Sequence, residues 1–287
     1  YFGKIIMGII DGKMVASQIK ENITTEVQSL KKKTGKSPGL AVVLVGDDPA
    51  SAVYVRNKNK TCNNIGFQSF ENILPANTSE SELLNLIHEL NNDEKVNGIL
   101  VQLPLPNHIA SKKILEAINP QKDVDGFHLE NVGRLVTGHS LFKPCTPAGI
   151  IKLLDKYDVE IEGKNAVIIG RSNIVGKPVA FLLLERNATV TICHSRTKNL
   201  SNLARSADIL IAAIGKPNFV TADMVKDNSV VIDVGINRLA GKLVGDVDFS
   251  AVLKKASLIT PVPGGVGPMT IAMLMENTFQ AFKNSLK

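Results

Sequence analysis

Two periods of hydrophobic and polar positions alternate along this chain. Apolar runs of strand length are separated by stretches with the helical period, which is typical of an α/β protein with mainly parallel sheets. The first half is predicted to contain strands at 40–45, 69–74 and 98–103. The second half shows the repeating pattern of a doubly wound sheet, with strands predicted at 165–169, 189–193, 209–214 and 230–234.

Three predicted helices and one irregular segment suggest how the chain is divided. Helices are expected at 79–90, where a capping box opens the pattern, at 147–157, and at 269–287. The segment 120–147 is rich in Pro and Gly and is expected to cross from one domain to the next. We therefore expect a first domain at 1–146, to which helix 269–287 returns, and a second domain at 147–268.

Composition excludes several classes of protein. The 287 residues include 44% hydrophobic and 21% charged residues, as in globular proteins, and the net charge of +6 is scattered and forms no stripe for nucleic acid. The chain has three cysteines without paired spacing, at Cys62, Cys145 and Cys193, so we expect neither a metal site nor a disulfide framework. Such cysteines fit a reducing compartment, and we expect a cytoplasmic location. The apolar start at 1–10 is too short for a membrane span, and Met7 is a candidate natural first residue.

A glycine turn follows the predicted strand 165–169. Gly170 ends the strand, and the turn continues through Ser172 to Gly176 and a helix. A glycine here permits a tight turn, and the amides at the start of the helix can hold a pyrophosphate. Because Ser172 stands where dinucleotide sites usually carry a second glycine, a purely structural role for the turn remains open.

The end of the next strand points to the type of nucleotide. Strand 189–193 leads into His194-Ser195-Arg196-Thr197, at the position where NAD sites carry an acidic residue for the ribose. Hydroxyl and basic groups here, with Arg171 in the preceding turn, suit a 2′-phosphate, so NADP is favoured over NAD. The alternative is that 194–197 is a polar loop that caps the following helix.

A second candidate site lies on a helix of the first half. Asp48 is a good N-cap, Pro49 suits the first helical position and Gly66 suits the end, which predicts a helix at 49–64. Three polar side chains share one face of this helix: Ser51, Tyr54 and Lys58.

Tyr54 and Lys58 could form a proton-handling pair, since burial lowers the pKa of a lysine. The alternative is a solvated lysine on a basic helix that also carries Arg56 and Lys60. Short-chain dehydrogenases share the Tyr-x-x-x-Lys spacing. In them, however, the pair follows the nucleotide turn in the same domain, whereas here it precedes Gly170, which disfavours that class.

Seven motifs occur along the chain in a fixed order. They are VGDDPAS at 45–51, YVxxK at 54–58, VQLPLP at 101–106, DVDGF at 123–127, PCTP at 144–147, GRS at 170–172 and TPVPGGVGPMT at 260–270. With these motifs, nearly the whole chain from Met7 resembles the bifunctional methylenetetrahydrofolate dehydrogenase/methenyltetrahydrofolate cyclohydrolases.

The resemblance implies two reactions in one active site. Methylenetetrahydrofolate would be oxidised by NADP⁺, and the methenyl product would be hydrolysed to 10-formyltetrahydrofolate. It also implies an N-terminal α/β catalytic domain and a Rossmann-like doubly wound domain, with the active site in the cleft between them. A homodimer formed through the nucleotide domain is expected by the same analogy.

The resemblance also assigns roles to residues. Lys58 matches the lysine of iminium chemistry and water activation, Tyr54 the residue that stacks on folate, Gln102 the residue that tunes the lysine, and Asp125 the carboxylate for the pterin. Without the resemblance, Asp125 would be interpreted as a turn-forming residue and Gln102 as a polar residue at a strand end. The implied folate contacts are Ser51, Tyr54, Asp125, Pro263, Gly264, Gly265 and Val266. The implied NADP contacts are Thr146, Gly170, Arg171, Ser172, Ser195 and Ile236.

Two other functions fit part of the pattern. A shikimate-dehydrogenase-like enzyme would share a catalytic first domain and a nucleotide-binding second domain, but Asp125, Gln102 and the Gly-rich loop at 263–268 argue against it. A non-catalytic NADP-responsive binding module would keep the fold without turnover. The intact set of candidate catalytic residues argues against that alternative.

Overall fold

The computed structural model describes residues 8–287, so Met7, the candidate first residue, lies outside the described residues. The chain forms two compact units. The three-strand unit consists of Gln18–Cys145 and Ile271–Lys287, and the five-strand unit consists of residues 8–17 and Thr146–Thr270. None of the helices in the described part of the chain has the length and apolar character needed to cross a membrane.

The helices within the described chain are α1 (Gly12–Thr34), α2 (Pro49–Asn64), α3 (Glu80–Asn92), α4 (Ser111–Ala117), α5 (Leu129–Val136), α6 (Cys145–Lys156), α7 (Gly176–Glu185), α8 (Leu200–Arg205), α9 (Phe249–Val252) and α10 (Val266–Ser285). The strands are β1 (Gly39–Val45), β2 (Gln68–Leu74), β3 (Gly98–Val101), β4 (Asn165–Ile169), β5 (Thr189–Cys193), β6 (Ile209–Ala212), β7 (Val230–Asp233), β8 (Asn237–Leu239), β9 (Lys242–Val244) and β10 (Leu258–Ile259).

The three-strand unit has a parallel sheet in the order β2-β1-β3. The central strand β1 is buried along its whole length, as its unbroken apolar sequence requires for a strand covered on both faces. Helices α3 and α4 contribute apolar side chains such as Leu83, Ile87 and Ile114 to the core on this sheet. The carboxyl ends of the three strands lie at one edge, where side chains that follow them can meet.

The five-strand unit has a parallel sheet in the order β10-β7-β6-β4-β5. In chain order this is 2-1-3-4-5, because β5 lies on one side of β4 and β6 on the other. The connection after β4 leads to one side of that strand, and the connection after β5 leads back to its other side. The chain therefore changes direction at the carboxyl ends of β4 and β6, which is where doubly wound sheets bind ligands. The predicted fold class, two α/β domains with a doubly wound sheet in the second, is confirmed.

The elements with strong local signals have the predicted bounds: α2, β4, β5 and the capping box of α3. Three strands end earlier than predicted, and one of them, β7, stops one residue early at Asp233. Strand β3 stops at Val101, although the N–H of Gln102 still donates to Val43 at 2.8 Å, and β6 stops at Ala212 because the chain turns towards Asp246. Helices α1, α4, α5 and α9 were not predicted.

Candidate active site

Helix α2 begins and ends as its sequence predicts. The Asp48 carboxylate accepts the N–H of Ser51 at 2.7 Å, Pro49 occupies the first turn, and Gly66 follows the helix with a φ of +86°. Ser51 and Lys58 lie on its buried face, and Lys58 is only 8% exposed. The alternative of a solvated surface lysine is therefore wrong for Lys58.

The ammonium group of Lys58 has a defined partner. Its Nζ donates to Oε1 of Gln102 at 2.9 Å, and Nε2 of Gln102 donates to the carbonyl of Leu103 at 2.7 Å. The second bond keeps the amide oxygen of Gln102 directed at the lysine. Burial lowers the pKa of Lys58, and the nearby Asp125 carboxylate opposes that effect.

Asp125 is the acidic group of this cluster. Its pKa is raised to about 6, mainly by burial; Lys58 opposes this rise and Asp123 adds to it. The role of turn-former belongs to Asp123, whose carboxylate accepts the N–H of His128 and Nδ2 of Asn131, both at 2.8 Å. The carboxylate of Asp125 interacts electrostatically with Lys58.

Tyr54 lies one helical turn before Lys58, and the residue is 39% exposed. Ser51 is almost fully buried, at 4% exposed. The structure thus brings together Lys58, Gln102 and Asp125 in the three-strand unit and leaves the ring of Tyr54 accessible on the same helix. An accessible ring suits stacking against a flat ligand. The individual roles of these residues stay predictions.

Two neighbours of Asp125 were not singled out from the sequence. Sγ of Cys145 donates to the carbonyl of Val124 at 3.3 Å, and Nδ2 of Asn277 on α10 donates to that carbonyl at 2.8 Å. Burial raises the pKa of the Cys145 thiol well above its usual value, so the thiol stays protonated. Cys145 lies in the PCTP motif, whereas Asn277 gave no local signal.

The turn after β4 requires glycine. Gly170 has a φ of +130°, and a Cβ at this position would collide with the carbonyl oxygen of Ala213. Its N–H donates to the carbonyl of Cys193 at 2.9 Å, at the end of the neighbouring strand. The turn is therefore held at the point where β4, β5 and β6 all end.

Ser172 organises the start of α7. Its Oγ accepts the N–H groups of Val175 at 3.1 Å and Gly176 at 3.2 Å, and its carbonyl accepts the N–H of Lys177 at 3.0 Å. These amides were expected to be free for a pyrophosphate. In this structure they are bound by Ser172, while the side chains of Arg171 and Ser172 remain exposed.

The turn after β5 presents hydroxyl and basic groups. Oγ1 of Thr197 accepts the N–H of His194 at 2.8 Å, so Thr197 caps its own turn, and no side-chain cap bond closes the start of α8. Ser195 and Arg196 are exposed. Because Ile169 pairs with Cys193, the segment carrying Arg171 and the segment carrying Ser195 leave adjacent strand ends.

A buried carboxylate that was not predicted from the sequence holds the loop after β6. Asp246, which is fully buried, accepts the N–H groups of Ile214, Gly215 and Lys216 at 2.7, 3.0 and 2.8 Å. It also accepts Nδ2 of Asn237 at 2.9 Å. The neighbouring Ile236, a predicted cofactor contact, is 48% exposed.

The predicted Gly-rich loop lies in the five-strand unit. The carbonyl of Gly264 accepts the N–H of Lys13 at 3.1 Å, and Gly264 to Val266 are buried while Pro263 is exposed. Thr146, a predicted cofactor contact, shares a hydrogen bond of 2.8 Å with Thr270 in the same unit. The predicted folate contacts are thus divided between the two units, and the prediction of a cleft site stays a prediction.

A doubly wound sheet with a glycine turn at its switch point, joined in one chain to an α/β unit with a buried lysine, defines the class of two-domain, NAD(P)-linked α/β enzymes. Models of the tetrahydrofolate dehydrogenase/cyclohydrolase family match both halves of the chain. The model of the catalytic domain matches residues 10–125, and the model of the NAD(P)-binding domain matches residues 144–286. The chain belongs to the tetrahydrofolate dehydrogenase/cyclohydrolase family.

Individual relatives are similar over their full length. Bifunctional protein FolD of Campylobacter hominis is 60% identical, with 98% of this chain and 99% of the relative covered. The crystal structure of the bifunctional FolD enzyme of Campylobacter jejuni has a TM-score of 0.95 and 55% identity, covering 97% of this chain and 99% of that one. The Trypanosoma brucei enzyme, solved with NADP and an inhibitor, has a TM-score of 0.94 and 40% identity, covering 98% and 99%.

The resemblance to the bifunctional folate enzymes is confirmed, and so is the presence of an NAD(P)-binding domain. The shikimate-dehydrogenase-like alternative is wrong, because both halves of the chain match the folate family. The assignment of single residues is not tested by these similarities.

Proposed function

We propose that this chain oxidises 5,10-methylenetetrahydrofolate with NADP⁺ and hydrolyses the methenyl product to 10-formyltetrahydrofolate, with Lys58 most important for the hydrolytic step. The observation that carries the proposal is the buried Lys58, bonded to Gln102 at 2.9 Å and close to Asp125. A buried lysine and a carboxylate that perturb each other's pKa are typical of a reactive centre.

Lys58 is suited to the hydrolytic step. Its lowered pKa increases the neutral amine fraction near neutral pH, and a neutral amine can accept a proton from water as the water attacks the methenyl carbon. The proton then passes to N5 as the bond between that carbon and N5 breaks, and the hydroxyl proton is released, which leaves the formyl group on N10. Gln102 holds the amine in one direction through its fixed amide oxygen. The iminium carbon of the substrate is positively charged, so a neutral amine also avoids the repulsion that an ammonium group would cause.

Asp125, Tyr54 and Ser51 are proposed to place the folate. The carboxylate of Asp125 can accept the adjacent N–H donors of a pterin ring, as a bidentate acceptor. The exposed ring of Tyr54 offers a face for stacking, and Ser51 supports the same helix face. The proposed further contacts are Pro263, Gly264, Gly265 and Val266.

The residues around the switch point fit NADP. Arg171 and Ser195 leave adjacent strand ends, and both are exposed, so a 2′-phosphate can be held by a guanidinium and a hydroxyl. Gly170 makes the tight turn that leads to these groups, and the exposed Ser172 contributes a hydroxyl group. Thr146 and Ile236 are proposed to contact the nicotinamide half. When bound, NADP⁺ accepts the hydride from the methylene carbon.

The test follows the absorbance of the methenyl species. Purified protein is mixed with methylenetetrahydrofolate and NADP⁺ or NAD⁺, and separately with the methenyl compound alone. The wild type is expected to form and to hydrolyse the methenyl species, with NADP⁺ preferred. Lys58→Ala is expected to lose hydrolysis, whereas Lys60→Ala, which changes an exposed lysine of the same helix, is the matched control.

A wild type that neither forms nor hydrolyses the methenyl species would refute the bifunctional proposal and would favour a non-catalytic NADP-binding module. Hydrolysis that persists in Lys58→Ala would remove Lys58 from its proposed role.

We also propose a homodimer formed through the five-strand unit, in the cytoplasm. Strand β5 is an edge strand, and Ile192 on it is 37% exposed, which supports pairing with a second copy. The three free, buried cysteines suit a reducing compartment. Sedimentation of Ile192→Lys beside the wild type tests the dimer, and a monomeric wild type would refute it.

A further inference from the structure

Asn277 of α10 links the two chain segments that meet beside Asp125. Its single Nδ2 group donates to the carbonyl of Val124 at 2.8 Å and to the carbonyl of Lys143 at 2.9 Å. Both N–H bonds of the amide are therefore used, and both acceptors are main-chain groups. A primary amide is the smallest neutral side-chain group that can donate two such bonds.

The segment around Asp125 is fixed on both sides of that residue. Before it, Val124 is fully buried, and its carbonyl accepts bonds from both Asn277 and the thiol of Cys145. After it, Gly126 has a φ of +74° and packs so closely on Pro144 that a Cβ would lie 2.9 Å from the Pro144 nitrogen. Asp125 is thus the residue between two anchored neighbours.

The hydrogen bonds of Asn277 lie close to the charged groups of the site. Nδ2 of Asn277 lies 3.7 Å from Sγ of Cys145, and the Cys145 thiol lowers the pKa of Asp125 while burial raises it. Asp123 and Lys58 are the charged groups that act on Asp125. The position of the Asp125 carboxylate among them depends on the anchored main chain on either side.

From these contacts we propose that Asn277 is a positioning residue, which sets the place of the Asp125 carboxylate by joining Val124 to Lys143. This rests on the proposed role of Asp125 in folate placement. Asn277 does not act on the nucleotide turn, because all its described partners belong to the three-strand unit. Substitution of Asn277 should therefore weaken the binding of folate and leave the binding of NADP nearly unchanged.

The test compares Asn277→Leu with Thr278→Val. Asn277→Leu keeps the size of the side chain and removes both donors. Thr278→Val removes a buried bond of 2.8 Å to Leu274 within the same helix and does not touch the Val124 carbonyl, so it is the matched control.

Asn277→Leu should raise the KM for methylenetetrahydrofolate about tenfold and leave the KM for NADP⁺ within about twofold of the wild type. Thr278→Val should leave both KM values unchanged. Asn277→Ser, which keeps one donor, should give an intermediate KM for the folate and serves if the leucine variant does not fold.

A second measurement does not depend on catalysis. Carbon-13 NMR of labelled aspartate follows the titration of Asp125, assigned with Asp125→Asn. The pKa of Asp125 should fall towards its ordinary value in Asn277→Leu, because the loosened segment admits water, and should not move in Thr278→Val. An active wild type with an unchanged pKa and folate KM in Asn277→Leu, or with equal rises in both KM values, would overturn the proposal. A wild type that lacks turnover would refute only the proposed function, since the titration would still test Asn277.

Discussion

The hydrogen bond between Gln102 and Lys58 allows a prediction in which sign and size can both be worked out. The bond is 2.9 Å long, and Lys58 is 8% exposed, so water cannot readily replace the lost acceptor. Gln102→Met keeps the length of the side chain and removes that acceptor. The ammonium form of Lys58 then loses stabilisation, and its pKa, already lowered by burial, should fall further.

Hydrogen bonds to charged groups contribute about 1.5 to 3 kcal/mol, and one pKa unit corresponds to about 1.4 kcal/mol. The pKa of Lys58 in Gln102→Met should therefore fall by about 1 unit and at most about 2 units, because the neutral amine also loses its bond. Gln102→Glu places a negative charge at the same point and should raise the pKa instead. The two variants make opposite changes at one position.

The assay is the titration of the Lys58 Cε resonance in protein with carbon-13-labelled lysine, assigned by Lys58→Met. The pH dependence of methenyl hydrolysis is measured in parallel and should shift in the same direction. Gln121→Met, at an exposed glutamine of the same unit, is the control. Shifts of less than about 0.3 unit in both variants, or shifts of the same sign, would refute the electrostatic role assigned to Gln102.

Three further predictions concern single residues. The pKa of Asp125 is raised to about 6, so its carboxylate becomes neutral as the pH falls through that value. The KM for methylenetetrahydrofolate should therefore rise below about pH 6 in the wild type but not in Asp125→Asn. A wild-type KM that does not change with pH would contradict this. Ser195→Asp should repel the 2′-phosphate and reduce the preference for NADP⁺ over NAD⁺ at least about tenfold, measured as the ratio of the two kcat/KM values. An unchanged ratio would exclude a contact between Ser195 and the 2′-phosphate. Gly170→Ala should lower the free energy of unfolding in urea by about 1 to 3 kcal/mol from backbone strain alone, because φ is +130° there. An unchanged urea midpoint of unfolding would refute the need for glycine.

The features that the sequence predicted well depend on neighbouring residues. The cap at Asp48 and the proline after it predict the start of α2, and the apolar runs of β4 and β5 predict both strands with their bounds. These signals are local, because capping bonds and strand burial are encoded within a few residues. Helix α5 was missed because it is short and lies in a segment rich in Pro and Gly.

The partners of the reactive groups could not be predicted from local patterns. Gln102 is 44 residues from Lys58 in the chain, and Asn277 is 153 residues from Val124. Only the resemblance to a family suggested the first pair, and nothing suggested the second. Asp246 was missed for the same reason, since its amide partners lie 30 to 32 residues away in the chain.

The division of the chain between the two units bears on the order in which they fold during synthesis. The three-strand unit needs Ile271–Lys287, because Met275 and Phe282 are buried and Sδ of Met275 lies 3.6 Å from Sγ of Cys62. A ribosome makes these residues after it has made all of Thr146–Thr270. Domains usually fold as units in the order in which they are completed. The five-strand unit, although it lies mostly in the second half of the chain, is therefore complete first, and the unit that carries Lys58 waits for the last helix.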